Sequence, residues 1–349
     1  MITKQILSVG VIGMGMGFAH AKSVAINPNA QLTWLCDIDA EKVKAKAEEI
    51  GVKGVKTTTD YKEMLKDPNL DAVIIASPDM LHKEMVEACV KAKKHVLCEK
   101  PLALTREDID AIVAAANSYN KVFMVGQICR YTPGFVEAKK RIDAGEIGEL
   151  TFVESEYAHD YTHIYRGGSW RVDPTRNGLV GGGCHAVDLL RWIVGKNPEV
   201  VTGLGTHKTF ADVTPYDDTH VAILKFPDGV IGKVFCSISC RRDYTMRSVF
   251  YGTKGTIITD NTSPTMKVFH LNEDGQSSSP ETVELNIKNH NTDGEFAEFC
   301  ACIMEGKKNA TPVEEGANTI AACLAIMESA NAGGKPVKVK LFKSKKCNK

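Results

Sequence analysis

The sequence predicts an α/β fold in which a doubly wound parallel sheet is followed by an α+β domain with a large, mostly antiparallel open sheet. Two patterns support this prediction. Through the first third of the chain, apolar β-branched runs alternate with helical patterns, which is typical of parallel βαβ units. After about residue 200, short strand-like runs follow one another, with turn signals at 226–229 and 252–255, as in antiparallel sheets. We therefore assign residues 1–124 to the first domain and 125–349 to the second.

The elements of the first domain follow in a regular order. Its strand-like runs are ILSVGVI, LTWLC, DAVIIAS, HVLCE and KVFMVG. Helical patterns separate these runs directly after Gly17 and at 40–50, 81–93 and 105–120. Thr105 and Asp108 have the spacing of an N-terminal cap for the last of these helices. In such a sheet, ligands bind beyond the carboxyl ends of the strands, near the point where the strand order reverses.

The second domain mixes helices with closely spaced strands. We expect helices at 133–144, 184–194, 294–305 and 315–332. The strand-like runs are VVTGLGT, THVAILKF, GVIGKVFCSIS, SVFYGT, GTIITD, MKVFHL and ETVELNI. Runs such as VAILKF and GKVFCSIS alternate polar with apolar residues, as in a sheet that keeps one face open.

Composition argues against several functional classes. The chain has 349 residues, of which 43% are hydrophobic and 25% charged, and its formal net charge is zero, so nucleic acid is not an expected partner. No apolar run approaches the roughly 18 residues of a membrane span, and the N-terminal run does not resemble a signal peptide. The 11 cysteines contain no C-x-x-C pair, which argues against structural zinc and favours reduced thiols in the cytoplasm. We expect neither a metal site nor a membrane partner.

A glycine-rich turn follows the first strand. Gly13, Gly15 and Gly17 stand between ILSVGVI and a helix, with Met16 inside the turn. Glycines allow a tight turn and let backbone N–H groups approach a pyrophosphate, which the N-terminus of the helix also attracts. Phe18 stands where the common G-x-G-x-x-G pattern has its third glycine.

Asp37 ends the second strand, 20 residues after Gly17. A carboxylate at this place accepts hydrogen bonds from the adenosine ribose of a dinucleotide. The glycine turn and Asp37 together predict a Rossmann domain that binds NAD rather than NADP. Ser77 and Glu99 also end strands, so we expect them at the same edge of the sheet.

Two residues are candidates for the chemistry itself. Lys100 directly follows the strand HVLCE, where a lysine can hydrogen-bond a substrate hydroxyl and stabilise developing alkoxide charge. His185 begins a helix and can act as a general base near neutral pH. The alternatives are a surface lysine and a capping or core histidine. We expect Asp188 to orient the histidine or to pair with an arginine.

Polar and aromatic residues around these candidates predict a substrate site. Residues 156–163 form a polar cluster that is rich in histidine. His159 and His163 lack a clear third ligand for a metal, so we favour a sugar-binding surface over a solvated loop for this cluster. The candidate substrate-binding residues are Arg130, Tyr131, His159, Asp160, Trp170, Arg171 and Asp173. Packing between the domains is the alternative role for Arg130 and Tyr131.

These clusters resemble the Gfo/Idh/MocA family, the oxidoreductases related to glucose–fructose oxidoreductase and inositol dehydrogenase. The matching positions cover nearly the whole chain. They are the glycine turn with His20, residues 36–39, Ser77 and Pro78 with His82, Glu99-Lys100-Pro101, residues 148–150, Trp170-Arg171, residues 181–185 and residues 252–255.

The resemblance implies NAD(P) binding, a sugar or polyol substrate, Lys100 as the catalytic lysine and His185 as the catalytic histidine. It places Pro78, His82 and Glu99 with the cofactor-binding residues, and it implies dimers or tetramers that pack through the open sheet.

One position departs from the family pattern. Many members carry an aspartate four residues before the catalytic histidine, where this chain has Gly181. Asp173, Asp160 or His159 are the candidates to compensate for it.

We therefore expect a dehydrogenase that transfers a hydride between NAD and a secondary hydroxyl of a sugar, sugar derivative or cyclitol. Because Lys100 comes from the first domain and His185 from the second, we expect the reactive centre between the domains. One alternative is an enzyme that retains NAD and uses transient sugar oxidation for glycoside cleavage or epimerisation. The other is a non-catalytic sensor that binds dinucleotide.

Overall fold

Six strands form the first sheet of the computed structural model, which describes residues 6–287 and 290–342. They are β1 (Leu7–Ile12), β2 (Ala30–Cys36), β3 (Lys56–Thr58), β4 (Ala72–Ile75), β5 (His95–Glu99) and β6 (Phe123–Gly126). The order is β3-β2-β1-β4-β5-β6 and every pair is parallel. The predicted doubly wound parallel sheet is therefore confirmed, and the strand order reverses at β1, beside β4.

Five helices accompany this sheet. They are α1 (Gly17–Ile26), α2 (Ala40–Ile50), α3 (Tyr61–Leu65), α4 (His82–Lys91) and α5 (Arg106–Ala116). Side-chain caps set two of their starts: Asp39 accepts the N–H of Lys42 in α2, and Thr105 accepts the N–H of Asp108 in α5, as predicted. All four side chains of β4 are completely buried, as expected for a strand that is covered on both faces.

Nine strands form the second sheet. They are β7 (Leu150–Ala158), β8 (Val200–Thr206), β9 (Thr219–Lys225), β10 (Ile231–Ser237), β11 (Ser248–Gly252), β12 (Gly255–Thr259), β13 (Thr265–His270), β14 (Glu281–Glu284) and β15 (Val337–Lys338). The order is β14-β13-β12-β11-β7-β10-β9-β8-β15. Only the pair β7–β10 is parallel among these strands, so the prediction of a mostly antiparallel sheet is confirmed.

Helices cover one face of the second sheet and leave part of the other exposed. The remaining helices are α6 (Pro133–Asp143), α7 (Thr162–Tyr165), α8 (Cys184–Val194), α9 (Thr292–Met304) and α10 (Val313–Asn331), of which α9 packs on α1 instead. Helix α8 packs against β7 and β10. On the opposite side, which we call the open face, the apolar side chains that remain 38–55% exposed are Leu204, Val221, Ile223, Ile231 and Tyr251. None of the helices in the described ranges is long and apolar enough to cross a membrane.

The chain divides into two compact units. Among the described residues, the first unit contains 6–127 and 292–317, and the second contains 128–287, 290–291 and 318–342. The first change of unit lies three residues beyond the domain boundary expected after residue 124. Residues 292–317 differ from the expectation, because they pack in the first unit. The Ser23 hydroxyl lies 2.8 Å from the Thr292 hydroxyl, and the N–H of Val125 donates to the carbonyl of Thr311 at 2.8 Å.

Several local elements differ from the predicted pattern. The helices expected at 81–93 and 105–120 end at Lys91 and Ala116, and Lys93 has a positive φ of 56°, which an α-helix does not continue through. Strand β3 and helix α3 were not expected, because each is shorter than the windows in which periodicity can be recognised. A π-helical segment at Leu179–Gly183 leads into α8.

Candidate active site

Each glycine of the turn after β1 has a different physical role. Gly13 has a positive φ of 89°, and a Cβ there would overlap the carbonyl of Ala76, so only glycine fits. Gly15 has nothing within 4 Å of its Cβ position, which leaves room for a ligand to approach the backbone. A Cβ at Gly17 would lie 3.0 Å from Val11, so this glycine lets α1 pack closely on the sheet. The residues present therefore fit the pyrophosphate of a dinucleotide.

Asp37 lies beside this turn at the end of β2. Its carboxylate accepts hydrogen bonds from the N–H groups of Met14 at 2.6 Å and Asp39 at 3.1 Å, and the Lys42 ammonium lies 3.0 Å away. Burial raises the pKa of Asp37, but these three contacts outweigh it and hold the pKa below its ordinary value. The carboxylate thus remains ionised. The neighbouring Ile38, which the sequence analysis did not single out, is 92% exposed.

His82 takes a different position from the one expected of a cofactor ligand. The side chain is completely buried. Its Nδ1 lies 2.9 Å from the carbonyl oxygen of Pro101, and its Nε2 lies 3.1 Å from the carbonyl oxygen of Ser77. The ring therefore connects the segment after β4 to the segment after β5. It supports the loops that carry Ser77, Pro78 and Lys100, and its own place among the cofactor-binding residues stays a prediction.

Glu99 also points into the protein. Its Oε1 lies 2.7 Å from Nε2 of the buried His20, and its Oε2 accepts the N–H of Lys100 at 3.0 Å. Burial raises the pKa of Glu99, but the hydrogen bond and charge of His20, with the nearby Lys100, hold the pKa below its ordinary value. The carboxylate thereby fixes the backbone from which Lys100 projects. The predicted contact between Glu99 and the cofactor stays a prediction.

Glu295 in α9 completes a buried acidic cluster that the sequence analysis missed. Its side chain is fully buried, and neither carboxylate oxygen has a hydrogen-bond partner among the described residues. Donor atoms of His20, Glu99 and Glu295 lie within 4.8 Å of one another, a grouping that could hold a metal ion. Burial and the charge of Glu99 raise the pKa of Glu295 well above its ordinary value, so a proton on Glu295 is sufficient to balance the charge.

This cluster leads to a prediction about stability. Because the folded protein keeps a proton on Glu295 that the unfolded chain releases above its ordinary pKa of 4.5, stability is lost as the pH rises above that value. Glu295→Gln removes this titration. We expect urea unfolding at pH 8 to show the variant more stable than the parent protein, with the difference disappearing near pH 4.5. The control is Glu305→Gln, at an exposed position just beyond the same helix. A variant that is less stable than the parent at pH 8 would contradict the assignment of a neutral Glu295.

In the second unit, His185 lies near the start of α8 and is only 3% exposed. Its ring stacks on Tyr157 with the centroids 5.8 Å apart and the planes 23° from parallel. The ring of His290 lies at a similar distance, 5.9 Å, with a 35° tilt. The Nδ1 atom is 3.3 Å from the sulfur of Cys129. His185 is thus held by several groups in one orientation.

Asp188, one turn further along α8, pairs with arginine as the sequence predicted. Its carboxylate accepts hydrogen bonds from Nε and Nη2 of Arg130 at 2.8 and 2.7 Å. Arg191 and Thr319 also contact it. Both partners of the Arg130–Asp188 pair are buried. Arg130 therefore supports α8, and its predicted contact with substrate stays a prediction. The carbonyl of its neighbour Tyr131 accepts a hydrogen bond from the side chain of Asn291.

The triple glycine before α8 reflects close packing. A Cβ at Gly181 would overlap the guanidinium of Arg176, and a Cβ at Gly182 would overlap the ring of Tyr157. A Cβ at Gly183 would lie 2.8 Å from the sulfur of Cys236. The space that an aspartate at position 181 would need is occupied by Arg176. The arginine in turn lies 4.8 Å from the ring centroid of Trp170.

The remaining predicted substrate residues divide into two groups. His159 stacks on Tyr244 at 4.8 Å, and Asp160 pairs with Arg241 at 2.9 Å. A pocket of about 650 Å³ is lined by His159, Asp160, Thr162, His163, Arg241, Arg242, Asp243 and Tyr244. Arg171, by contrast, packs on Trp170, and Asp173 accepts hydrogen bonds from the backbone and hydroxyl of Thr175. These three residues stabilise their own loop and do not line the pocket.

Comparison with known proteins places these features in a family. The profile described as "Oxidoreductase family, NAD-binding Rossmann fold" matches residues 7–127, and the profile "GFO/IDH/MocA C-terminal domain" matches residues 135–258. The chain is 31% identical to the myo-inositol 2-dehydrogenase of Thermotoga maritima over 282 residues, which are 78% of this chain and 80% of the relative. It is 30% identical to the levoglucosan dehydrogenase of Pseudarthrobacter phenanthrenivorans over 292 residues, 73% of each.

A solved structure supports the same assignment. Levoglucosan dehydrogenase in complex with NADH and L-sorbose has a TM-score of 0.89 against this chain at 26% identity, covering 97% of this chain and 100% of that one. The two matching profiles together cover most of the chain in the order expected for an NAD-binding domain and its C-terminal partner. The chain therefore belongs to the Gfo/Idh/MocA family of oxidoreductases.

Proposed function

We propose that this protein is an NAD-dependent dehydrogenase that oxidises a secondary hydroxyl of a sugar, sugar derivative or cyclitol. The observation that carries the proposal is the position of Lys100 directly after β5, at the edge of the first sheet. Strands β1, β4 and β5 are neighbours, so the glycine turn after β1 and Lys100 after β5 lie at one edge, roughly 10 Å apart. That distance suits a lysine acting beside the nicotinamide end of a dinucleotide.

The residues divide the chemistry between them. When bound, NAD supplies the hydride acceptor. Lys100 donates a hydrogen bond to the substrate oxygen and stabilises the negative charge that develops there. His185 accepts the hydroxyl proton as general base. The buried contacts of Glu99 and His82 keep the Lys100 segment in place, which lowers the entropic cost of aligning the reacting groups.

The second unit offers a surface suited to a polyol. The stacked rings of His159 and Tyr244 present aromatic area, and the pocket beside them carries Asp160 and Arg241 as paired acceptor and donor groups. Sugars bind through an apolar ring face and a rim of hydroxyls, which such a mixture of groups can match. The names of the two relatives, a myo-inositol and a levoglucosan dehydrogenase, point to the same substrate class.

A substrate screen tests the proposal. The protein is incubated with a set of sugars, sugar derivatives and inositols in the presence of NAD or NADP, and formation of reduced cofactor is followed by absorbance. We expect stoichiometric NADH with at least one polyol. Product formation without net NADH, with cofactor remaining bound through gel filtration, would instead identify the cofactor-retaining alternative. Dinucleotide binding without turnover of any polyol would point to the sensor alternative.

Asp37 determines the choice of cofactor in this proposal. Its ionised carboxylate would bind the ribose diol of NAD and repel a 2′-phosphate. We expect Asp37→Ala to raise the dissociation constant for NAD about tenfold or more and to reduce the preference over NADP, as measured by calorimetry or fluorescence titration. Asp39→Asn is the matched control, since it removes a nearby carboxylate and keeps the cap of α2. Equal or tighter binding of NADP by the unmutated protein would contradict the prediction.

The open face of the second sheet is the proposed oligomer interface. Apolar side chains lie side by side across β8, β9 and β10, since Leu204 pairs with Val221 and Val221 pairs with Phe235. Monomers rarely leave such a face in water, so we propose a dimer or tetramer that buries it.

A charge on this face should separate the subunits. We expect Ile223→Glu to lower the mass measured by multi-angle light scattering by at least half at micromolar concentration, because a buried unpaired carboxylate is costly. Ile26→Glu, the same change at a 70% exposed position of α1, should leave the mass unchanged. A monomeric parent protein would refute the proposed interface.

The cellular location is a separate proposal. The scattered cysteines without a C-x-x-C pair fit a reducing compartment, and we propose the cytoplasm. Fractionation of cells that express the protein would test this, and recovery from an oxidising compartment would contradict it.

A further inference from the structure

The histidine proposed as general base has an unusual neighbour. Nδ1 of His185 lies 3.3 Å from the sulfur of Cys129. Both side chains are almost completely buried, at 3% and 2% exposed. A thiol is a weak hydrogen-bond partner in water, but in a dry site it is a group that can distinguish one ring nitrogen from the other.

The position of Cys129 is fixed by the residue that follows it. Cys129 and Arg130 are consecutive in the turn at Ile128–Tyr131, and they contact His185 and Asp188, which are three residues apart on α8. The bidentate Arg130–Asp188 ion pair, at 2.8 and 2.7 Å, fixes the register of the turn against the helix. The turn therefore contacts α8 at two places, the Cys129–His185 contact and the Arg130–Asp188 ion pair, and the second keeps the thiol beside the histidine.

Two ring contacts fix the plane of His185 but not the orientation of the ring within that plane. Stacking on Tyr157 and the tilted contact with His290 are nearly the same if the ring rotates by 180° about its Cβ–Cγ bond. Only a polar contact to one nitrogen distinguishes the two orientations and selects the tautomer. In the segment preceding α8, Arg176 occupies the space that a carboxylate at position 181 would need.

We propose that Cys129 is the positioning residue for His185, with its sulfur accepting a hydrogen bond from Nδ1–H. This inference rests on the proposed role of His185 as general base. With the proton held on Nδ1, the neutral ring keeps its lone pair on Nε2, and in this proposal that lone pair takes the proton of a substrate hydroxyl.

Removing the sulfur should affect catalysis more than binding. We expect Cys129→Ala to lower kcat by about tenfold or more, with KM for the polyol and the dissociation constant for NAD changing less than about threefold. Cys129→Ser retains a polar acceptor and should recover most of the rate. Cys129→Val fills a similar volume without an acceptor, so it should behave like the alanine variant and reports on the same loss if the alanine variant does not fold. The control is Cys323→Ala, a fully buried cysteine of α10.

A spectroscopic measurement tests the contact independently of turnover. Long-range ¹H–¹⁵N spectra, assigned with His185→Gln as reference, report which nitrogen of His185 carries the proton. We expect the Nδ1–H tautomer in the parent and Cys129→Ser proteins, and a shift towards Nε2–H in Cys129→Ala and Cys129→Val. A parent-like spectrum in both apolar variants would overturn the inference, as would an unchanged kcat in them. If His185→Gln itself keeps full turnover, the proposed general base is wrong, while the spectra still decide whether Cys129 sets the tautomer.

Discussion

Replacing Lys100 by alanine is expected to lower kcat by at least about 100-fold while the affinity for NAD remains nearly unchanged. The reason is that the ammonium interacts with charge that appears on the substrate oxygen only as the hydride leaves, so its contribution falls on the transition state. The glycine turn and Asp37, which supply the contacts expected for the cofactor, do not depend on the side chain of Lys100. Steady-state kinetics with the polyol identified by the screen, combined with NAD titration, measures both quantities.

Two variants make this result specific. Lys100→Arg keeps a positive charge but presents a planar guanidinium that does not give up its proton, so it should recover little of the lost rate. Lys53→Ala removes an exposed lysine from the loop after α2 and should have no effect on kcat. Turnover by Lys100→Ala within a few fold of the parent would show that the proposed dehydrogenase mechanism is wrong.

The first unit could be predicted from the sequence because its information is local. Continuous apolar runs such as AVII in β4, helical periodicity between them and the glycine turn define each element within about ten residues. The same reasoning located Asp37, whose role depends on its place at the end of β2. The short elements β3 and α3 were missed because they contain too few residues for a period to be recognised.

The supporting groups of the site could not be predicted in the same way. Glu295 is 196 residues from Glu99 in the sequence, and its helical pattern gives no sign that its carboxylate is buried beside another. Cys129 contacts His185, which is 56 residues away in the sequence. Motif matching assigned His82 and Glu99 to the cofactor because they accompany cofactor-binding residues. Both side chains also hydrogen-bond within the protein, and motif spacing gives no sign of these contacts.

Arg130 illustrates the same limit. An arginine that follows a strand end is a plausible type of substrate ligand, and packing between the domains was the alternative role predicted for Arg130. The deciding fact is that Asp188 is buried on α8 and needs a cation, which Arg130 provides. Such pairing is a property of the tertiary structure, since neither residue type nor spacing identifies the partner. Tyr244, which stacks on His159, was missed for the same reason.

Replacing His185 by alanine is expected to lower kcat by about 100-fold or more and to remove the rise of the oxidation rate with pH. In the parent protein this rise is expected because the imidazole must be neutral to accept the hydroxyl proton. Without the ring, the proton must leave to water or hydroxide, so the remaining slow reaction should follow a different pH dependence. Rates of polyol oxidation measured across the range from pH 5 to about 9 test both parts.

His270→Ala provides the matched control, since this histidine of β13 is more than one-third exposed and pairs with glutamates. It should leave both kcat and the pH profile unchanged. If His185→Ala retains near-normal turnover, the general base must be another residue. We would then assign the base to His159 or Asp173. Asp173 is engaged by Thr175 in its own turn, whereas His159 lines the pocket and has Nδ1 3.3 Å from the Tyr157 hydroxyl. His159→Ala would then be the variant expected to lose activity, and the role of Lys100 would still be tested separately.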